Sequence, residues 1–173
     1  MRVQWHRIFA YGSNMNLADL SRWFDQHSEG DPVIRSVVPA VLPDYQLVWN
    51  YRSQVRRNGA ANIERVRGSL LPGVVLEVDD VTRSGLDRKE GHPHRYSRGN
   101  RREVLWTLDG HQEIRAWVYR VRPSFRQQKP VWPSRGYLQL LIDAARAHRL
   151  PSAHILALAQ TPVADSQTDT TIE

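Results

Sequence analysis

Two stretches of this sequence carry residue types that can hold an anion and move a proton. The first is Tyr11-Gly12-Ser13-Asn14-Met15. Glycine tolerates positive φ and serine bonds nearby backbone, so Gly12 and Ser13 predict a tight polar turn. A strand that passes through such a turn into a helix leaves backbone N–H groups pointing outward without partners, a cradle suited to a carboxylate or phosphate. The same spacing also fits an ordinary strand-to-helix connection. The second stretch is Leu86-Asp87-Arg88-Lys89-Glu90-Gly91-His92-Pro93-His94-Arg95-Tyr96-Ser97-Arg98. Glu90 falls at a predicted helix end, where the dipole disfavours negative charge, and a carboxyl in that position suits general acid/base work near neutral pH. Against this stands the ordinary fate of a glutamate, a solvated surface position.

Other constellations carry less. His92 and His94, with His111 on a neighbouring strand, could ligate zinc. With Pro93 between the first two and no cysteine to help, they read as loop histidines, and no metal is expected. Arg52, Arg56 and Arg57 follow Trp49 and Tyr51, a mixture found on nucleic-acid surfaces. A solvated loop is the preferred reading, and attraction of an anionic substrate is another. Ser13 has no evident histidine partner for a serine hydrolase, and no P-loop or dinucleotide fingerprint is present.

The elements that must position these residues follow from periodicity. Residues 4–10 read as a strand through Trp5, Ile8 and Phe9. Asn16 is set to cap a helix with Leu17, Leu20, Trp23 and Phe24 on one face and Asp19 in its first turn. Residues 33–42 and 45–51 read as strands separated by a Pro43-Asp44 turn, with Pro39 marking an edge or bulge. Residues 59–63, Gly-Ala-Ala-Asn-Ile, read as a short strand whose small side chains allow close approach, and residues 70–78 as an apolar strand beyond an Arg67-Gly68 turn. Asp79 or Asp80 caps a helix over 81–90 that Gly91 ends. Residues 96–108 and 114–121 form a hairpin about Asp109-Gly110. After a proline-rich loop, Ser134 caps an amphipathic helix with Tyr137, Leu138, Leu141, Ile142 and Ala145 on one face. Leu150-Pro151 breaks it before a short helix over 152–159. The class is α+β, a small mixed β-barrel or strongly curved sheet with flanking helices. One domain spans 1–160, and the polar residues 161–173 are expected to be disordered.

The chain's 173 residues suffice for one core, and no run approaches the ~18 apolar residues of a membrane span. The N-terminus is too polar for a signal peptide. The absence of cysteine excludes disulfides and thiol chemistry and agrees with a cytoplasmic setting. A net charge of +6 is compatible with nucleic acid, anionic substrates or solubility alone.

Four pieces, in order along the chain, resemble the gamma-glutamylcyclotransferase family. Phe9-Ala10-Tyr11-Gly12-Ser13-Asn14-Met15 resembles its opening motif, and residues 59–63 its small-residue strand. Leu86, Asp87, Glu90, Gly91, Pro93, Tyr96 and Arg98 fit its catalytic segment. Pro133-Ser134-Arg135-Gly136-Tyr137 with the later Leu150-Pro151 resembles its closing motif. Ala144 stands where the family usually has glycine, and His154 where it often has tyrosine. The opening turn differs from that of the glutathione-specific branch.

The resemblance implies an enzyme that converts a gamma-glutamyl amide into 5-oxoproline and a free amine, without cofactor. It implies Glu90 as the acid/base. Tyr11, Gly12, Ser13, Asn14 and Met15 would hold the gamma-glutamyl group, with Tyr96 and Tyr137 lining the site. The expected partner is a small molecule, with neither membrane nor nucleic acid; the oligomeric state and the leaving amine are not specified. The alternative is a non-catalytic anion- or RNA-binding domain on the same fold.

Overall fold

The computed structural model of the protein describes residues 3–164. Seven strands and four helices follow in the order β1 (Trp5–Ala10), α1 (Leu17–Gln26), β2 (Ile34–Arg52), β3 (Gly59–Asp79), α2 (Asp80–Glu90), β4 (Tyr96–Ser97), β5 (Glu103–Thr107), β6 (Glu113–Val118), β7 (Arg120–Val121), α3 (Arg135–Ala147) and α4 (Ser152–Ala159). Five strands close a barrel in the order β1-β3-β2-β5-β6, sealed by parallel pairing of Ile8 with Trp117 and Phe9 with Val118. The mixed barrel with flanking helices is the architecture expected. No helix among the described residues is long and apolar enough to cross a membrane.

The strand boundaries differ from the periodicity in an informative way. The two strands expected on either side of Pro43-Asp44 are one strand, β2, and those on either side of Arg67-Gly68 are one strand, β3. The ladder runs from Pro43–Leu70 to Tyr45–Arg65, so the turn-forming residues make a bulge, not a reversal. Asp44 at φ 60° and Gly68 at φ 83° take the left-handed conformation, and the Gly68 amide donates to Asp44 Oδ1 at 2.8 Å. Turn chemistry here bends a long hairpin into a barrel wall, as bulges do. The edge or bulge expected at Pro39 is corrected: β2 lies between β3 and β5 in the closed barrel, Pro39 pairs in register with Val74, and its carbonyl accepts from the Leu108 amide, so the barrel accommodates the missing N–H without an edge.

The strand expected over 96–108 also divides. Tyr96–Ser97 leaves the barrel and pairs with Arg120–Val121, while Glu103–Thr107 stays in it. The Asp109-Gly110 hairpin forms as expected, with Gly110 at φ 73° and its amide donating to the Thr107 carbonyl. The chain leaves β6 at Tyr119, which lies between the barrel and the small β4–β7 sheet.

The helix caps match the sequence. The side chains of Asn16, Asp79 and Ser134 accept from the amides of Asp19, Thr82 and Tyr137. Gly91, at φ 67°, ends α2, and its amide donates back to Arg88. Gly85 lets α2 lie against α1, since a Cβ there would stand 2.5 Å from the Phe24 ring. The expected apolar face of α3 is buried, with Ala144 added to it. Thr161 and Ala164 are held by backbone bonds to Leu158 and Pro133, and Val163 packs on the core, so ordered packing extends past residue 160. The rest of the expected polar tail, residues 165–173, lies outside the described residues.

Asp87 ties α2 to the β4–β7 side. Arg83, Arg98 and the Tyr119 hydroxyl all donate to its carboxylate. Burial pushes its carboxyl up, but the bonds from Arg98 and Tyr119 outweigh this and hold it below the usual carboxylate range. A folded value below the unfolded one adds stability above the unfolded value and loses it as pH falls through the folded one. Wild type should therefore melt above Asp87→Asn at neutral pH, and the gap should close in acid. Thermal scans from pH 7 to pH 2 measure it, and a gap that widens in acid would contradict the assignment.

Candidate active site

One end of the barrel opens into a cavity of about 520 Å³. That size is typical of a small-molecule site. Its wall comes from six parts of the chain: the end of β1 and the turn after it, α1, the β2–β3 junction, the end of α2 with β4, Tyr119 between β6 and β7, and the start of α3. The sequence spreads these over 130 residues, and closure of the barrel brings them together.

The turn leaves β1 at Tyr11 and enters a single 3-10 turn, Ser13–Met15, that runs straight into α1. The amides of Met15 and Asn16 bond back to Gly12 and Ser13. Those of Gly12, Ser13 and Asn14 meet no acceptor among the described residues, and all three residues line the cavity. The stated reason for glycine is corrected. Gly12 has φ −120°, which any residue can adopt. What it provides is room, because an added Cβ would stand 3.3 Å from the Ala61 Cβ and 3.5 Å from the Tyr137 hydroxyl. Met15 is the one proposed binding residue that does not reach the cavity. It is fully buried in the core, and its carbonyl accepts from His148 Nε2 at 2.7 Å.

Glu90 is the last residue of α2 and lines the cavity. Asn14 Nδ2 donates to Glu90 Oε1 at 2.8 Å, so the two motifs of the sequence meet in one hydrogen bond. Next to it, Lys89 Nζ donates to Asn14 Oδ1 at 2.7 Å and to Ser13 Oγ at 3.3 Å. Lys89 as a residue is half-buried, and its ammonium is desolvated. That burial lowers its hold on the proton, against the opposing pull of Glu90 and Asp19.

Four tyrosines complete the floor. The Tyr11 hydroxyl donates to the Tyr119 carbonyl at 2.6 Å. The Tyr96 hydroxyl donates to the Ala61 carbonyl at 2.8 Å, and the Tyr137 hydroxyl accepts from the Ala61 amide at 3.2 Å. Burial pushes all four phenols, including Tyr119, above their ordinary range, so they are neutral. The small residues expected to permit close approach do so. The Gly59 amide donates to the Trp132 carbonyl, and a Cβ on Gly59 would overlap the Val131 carbonyl oxygen. Ala60 and Ala61 then form the cavity wall.

Sequence reasoning missed several cavity residues. Lys89 lies one position from Glu90, and its adjacency was the available signal. Tyr51, at the end of β2, and Tyr119, between β6 and β7, have no local mark. The mouth is built by Asp19, Arg22, Trp23 and Gln26 of α1 with Val55 and Arg56 of the β2–β3 loop. Asp19, Arg22 and Gln26 recur at helical spacing, which puts them on one face. Arg56 stacks on the Tyr137 ring at 4.5 Å and pairs with Asp19, and Arg22 also pairs with Asp19. The arginine loop is thus divided: Arg56 turns into the cavity while Arg52 and Arg57 stay exposed. Trp49 and Tyr51 are buried, packed edge-on against Tyr137 and Tyr96, and so provide no stacking platform for bases. His94 and His111 are exposed, and no group of three potential metal ligands stands together among the described residues. Neither Ala144 nor His154 lines the cavity.

A family model described as gamma-glutamyl cyclotransferase, AIG2-like, matches residues 8–139. A protein of Methanocaldococcus jannaschii, provisionally named a gamma-glutamylcyclotransferase, is 40% identical over 57 residues. That match takes in 33% of this chain and 45% of the relative, so it spans under half of the relative's length. A solved gamma-glutamyl cyclotransferase superposes with a TM-score of 0.77 at 22% identity, over 95% of this chain and 92% of that one. An uncharacterized protein from Homo sapiens gives 0.74 at 23% identity, over 94% and 90%. A yeast gamma-glutamyl cyclotransferase specific to glutathione gives 0.56 at 11%, over 89% and 93%. At these identities the structural likeness speaks to the fold. The family match runs from Ile8 in β1 to Gln139 in α3 and takes in the free-amide turn, Lys89, Glu90 and the tyrosine floor, and on that match the chain belongs to the gamma-glutamyl cyclotransferase, AIG2-like family.

Proposed function

We propose that this protein cleaves a gamma-glutamyl amide by cyclising the gamma-glutamyl group to 5-oxoproline and releasing a free amine, with Glu90 as general acid/base. The observation that supports the reading is the Asn14–Glu90 hydrogen bond, which ties a carboxylate to the cavity-lining turn whose Gly12, Ser13 and Asn14 amides have no acceptor among the described residues.

The donors and acceptors sort by what the substrate needs. The amides of Gly12, Ser13 and Asn14 can only donate, which suits the substrate's carboxylate or carbonyl oxygen. Tyr137 already accepts from Ala61, so its proton is free to donate as well. Tyr11 and Tyr96 have spent their protons on carbonyls and offer only lone pairs, which suits the alpha-ammonium. Glu90 takes a proton from that ammonium. The freed amine attacks the gamma-carbonyl carbon and a C–N bond forms; Glu90 gives its proton to the departing nitrogen as the old C–N bond breaks, then takes the second proton from the ring nitrogen and passes it to the released amine, which leaves as an ammonium. One carboxylate can serve both halves, because base in the first becomes acid in the second. The reaction is intramolecular, and holding the amine against the carbonyl can be worth ~7–11 kcal/mol. The amine is its own nucleophile, so the chemistry calls for neither metal nor organic cofactor.

Arg22 and Arg56 share the single Asp19 carboxylate at the mouth, which favours a leaving amine that itself carries a carboxylate. Gamma-glutamyl-alanine therefore heads a substrate panel, with gamma-glutamyl-alaninamide and a gamma-glutamyl polyamine beside it. Release of 5-oxoproline, read by mass spectrometry, is the expected result. Release from no member, together with steeply salt-dependent RNA affinity, would favour the binding-domain alternative.

Turnover should also survive prolonged dialysis against EDTA. The motive is a mechanism in which every proton and bond is accounted for by Glu90 and the substrate. Loss of activity that zinc restores would overturn it and return His92 and His94 to consideration as ligands.

A further inference from the structure

We infer that Lys89 is a positioning residue for Glu90, acting through the side-chain amide of Asn14. The inference rests on Glu90 being the proton carrier. An asparagine amide has one accepting and one donating end, and a half-turn exchanges them. Lys89 can only donate, so the end of Asn14 that faces it at 2.7 Å is the oxygen. The NH2 group must then point the other way, where the Glu90 carboxylate accepts from it at 2.8 Å. The chain Lys89–Asn14–Glu90 thus has one polarity, fixed by a cation at one end and an anion at the other. The bond from Lys89 to Ser13 Oγ holds the ammonium over the same turn. Lys89 is not in an ion pair with any carboxylate among the described residues. The side-chain groups it serves are on the turn that carries the free amides. A desolvated lysine without a carboxylate contact is costly, and its two bonds here both go to that turn.

Without Lys89 the Asn14 oxygen loses its donor, the amide is free to rotate, and Glu90 loses the contact that fixes its carboxylate. Small misplacement of a reacting group costs rate heavily, on the order of 10²-fold for ~1 Å. Lys89→Met should therefore lower kcat by about 10- to 100-fold with KM within a factor of about two and the melting temperature near wild type. Lys89→Arg, which keeps a donor-only cation, should recover much of the loss. Asn14→Ala should lower kcat as well, and the double variant should be no worse than the poorer single one, because both act through one contact. A crystal structure of Lys89→Met should show the Asn14–Glu90 bond broken.

A raised KM with kcat retained would mean that Lys89 binds substrate directly and would overturn the inference. So would multiplicative losses in the double variant, or an intact Asn14–Glu90 bond in Lys89→Met. The crystal structure tests the relay independently of turnover. Failure of wild type to act on any gamma-glutamyl amide would instead defeat the functional reading on which the inference rests.

Discussion

Glu90→Gln should fold as wild type does and lose about 10²–10⁴-fold in turnover, the usual contribution of general acid/base catalysis. The amide is nearly isosteric, and its oxygen can still accept from Asn14 Nδ2, so the contact that positions residue 90 survives. What is lost is the ability to take and return a proton. The loss should fall on kcat, since the amides of Gly12, Ser13 and Asn14 still hold the substrate. Rates of 5-oxoproline release and calorimetric binding of a gamma-glutamyl amide check the two halves separately. Turnover within a few-fold of wild type would sink the mechanism.

Gly12→Val should be the most damaging change in the opening turn. Backbone strain is not the reason, because φ at this position is ordinary for valine. The methyl groups would instead enter the gap between Ala61 and Tyr137, where even a Cβ stands 3.3 Å and 3.5 Å from its neighbours. Either the turn or Tyr137 must shift. Overpacking of this sort costs ~1–3 kcal/mol of stability, so the variant should be assayed well below its melting temperature. Binding and turnover should fall together, because the same amides hold the substrate and aim its amine, and a displacement near 1 Å is worth on the order of 10²-fold in rate. Ser13→Ala should be milder, since it removes only the 3.3 Å bond from Lys89. Bound 5-oxoproline should slow hydrogen exchange at Gly12, Ser13 and Asn14. A fully active Gly12→Val, or protection confined to residues 52–57, would move the site elsewhere.

The sequence by itself determined what depends on neighbours along the chain. Caps at Asn16, Asp79 and Ser134, the Gly91 stop, the Asp109-Gly110 hairpin and the buried face of α3 all rest on contacts within a few residues, and such contacts have a fixed spacing. The two motifs that meet at the site were legible for the same reason. The resemblance of those motifs to a family added Tyr96 and Tyr137, which no local pattern marks.

Tertiary structure decided the rest. Pro43-Asp44 and Arg67-Gly68 carry turn residues, yet they became facing irregularities of one hairpin, because pairing across the sheet continued beyond them. Met15 belongs to the right stretch but lies on the core side, since a single helical turn sends successive side chains in different directions. Beyond its adjacency to Glu90, Lys89 has no local mark, because its partners lie about 75 residues away on the opening turn. A side chain's role in a cavity depends on groups distant in sequence, and spacing along the chain does not encode which of them closure of a barrel will bring within hydrogen-bond distance.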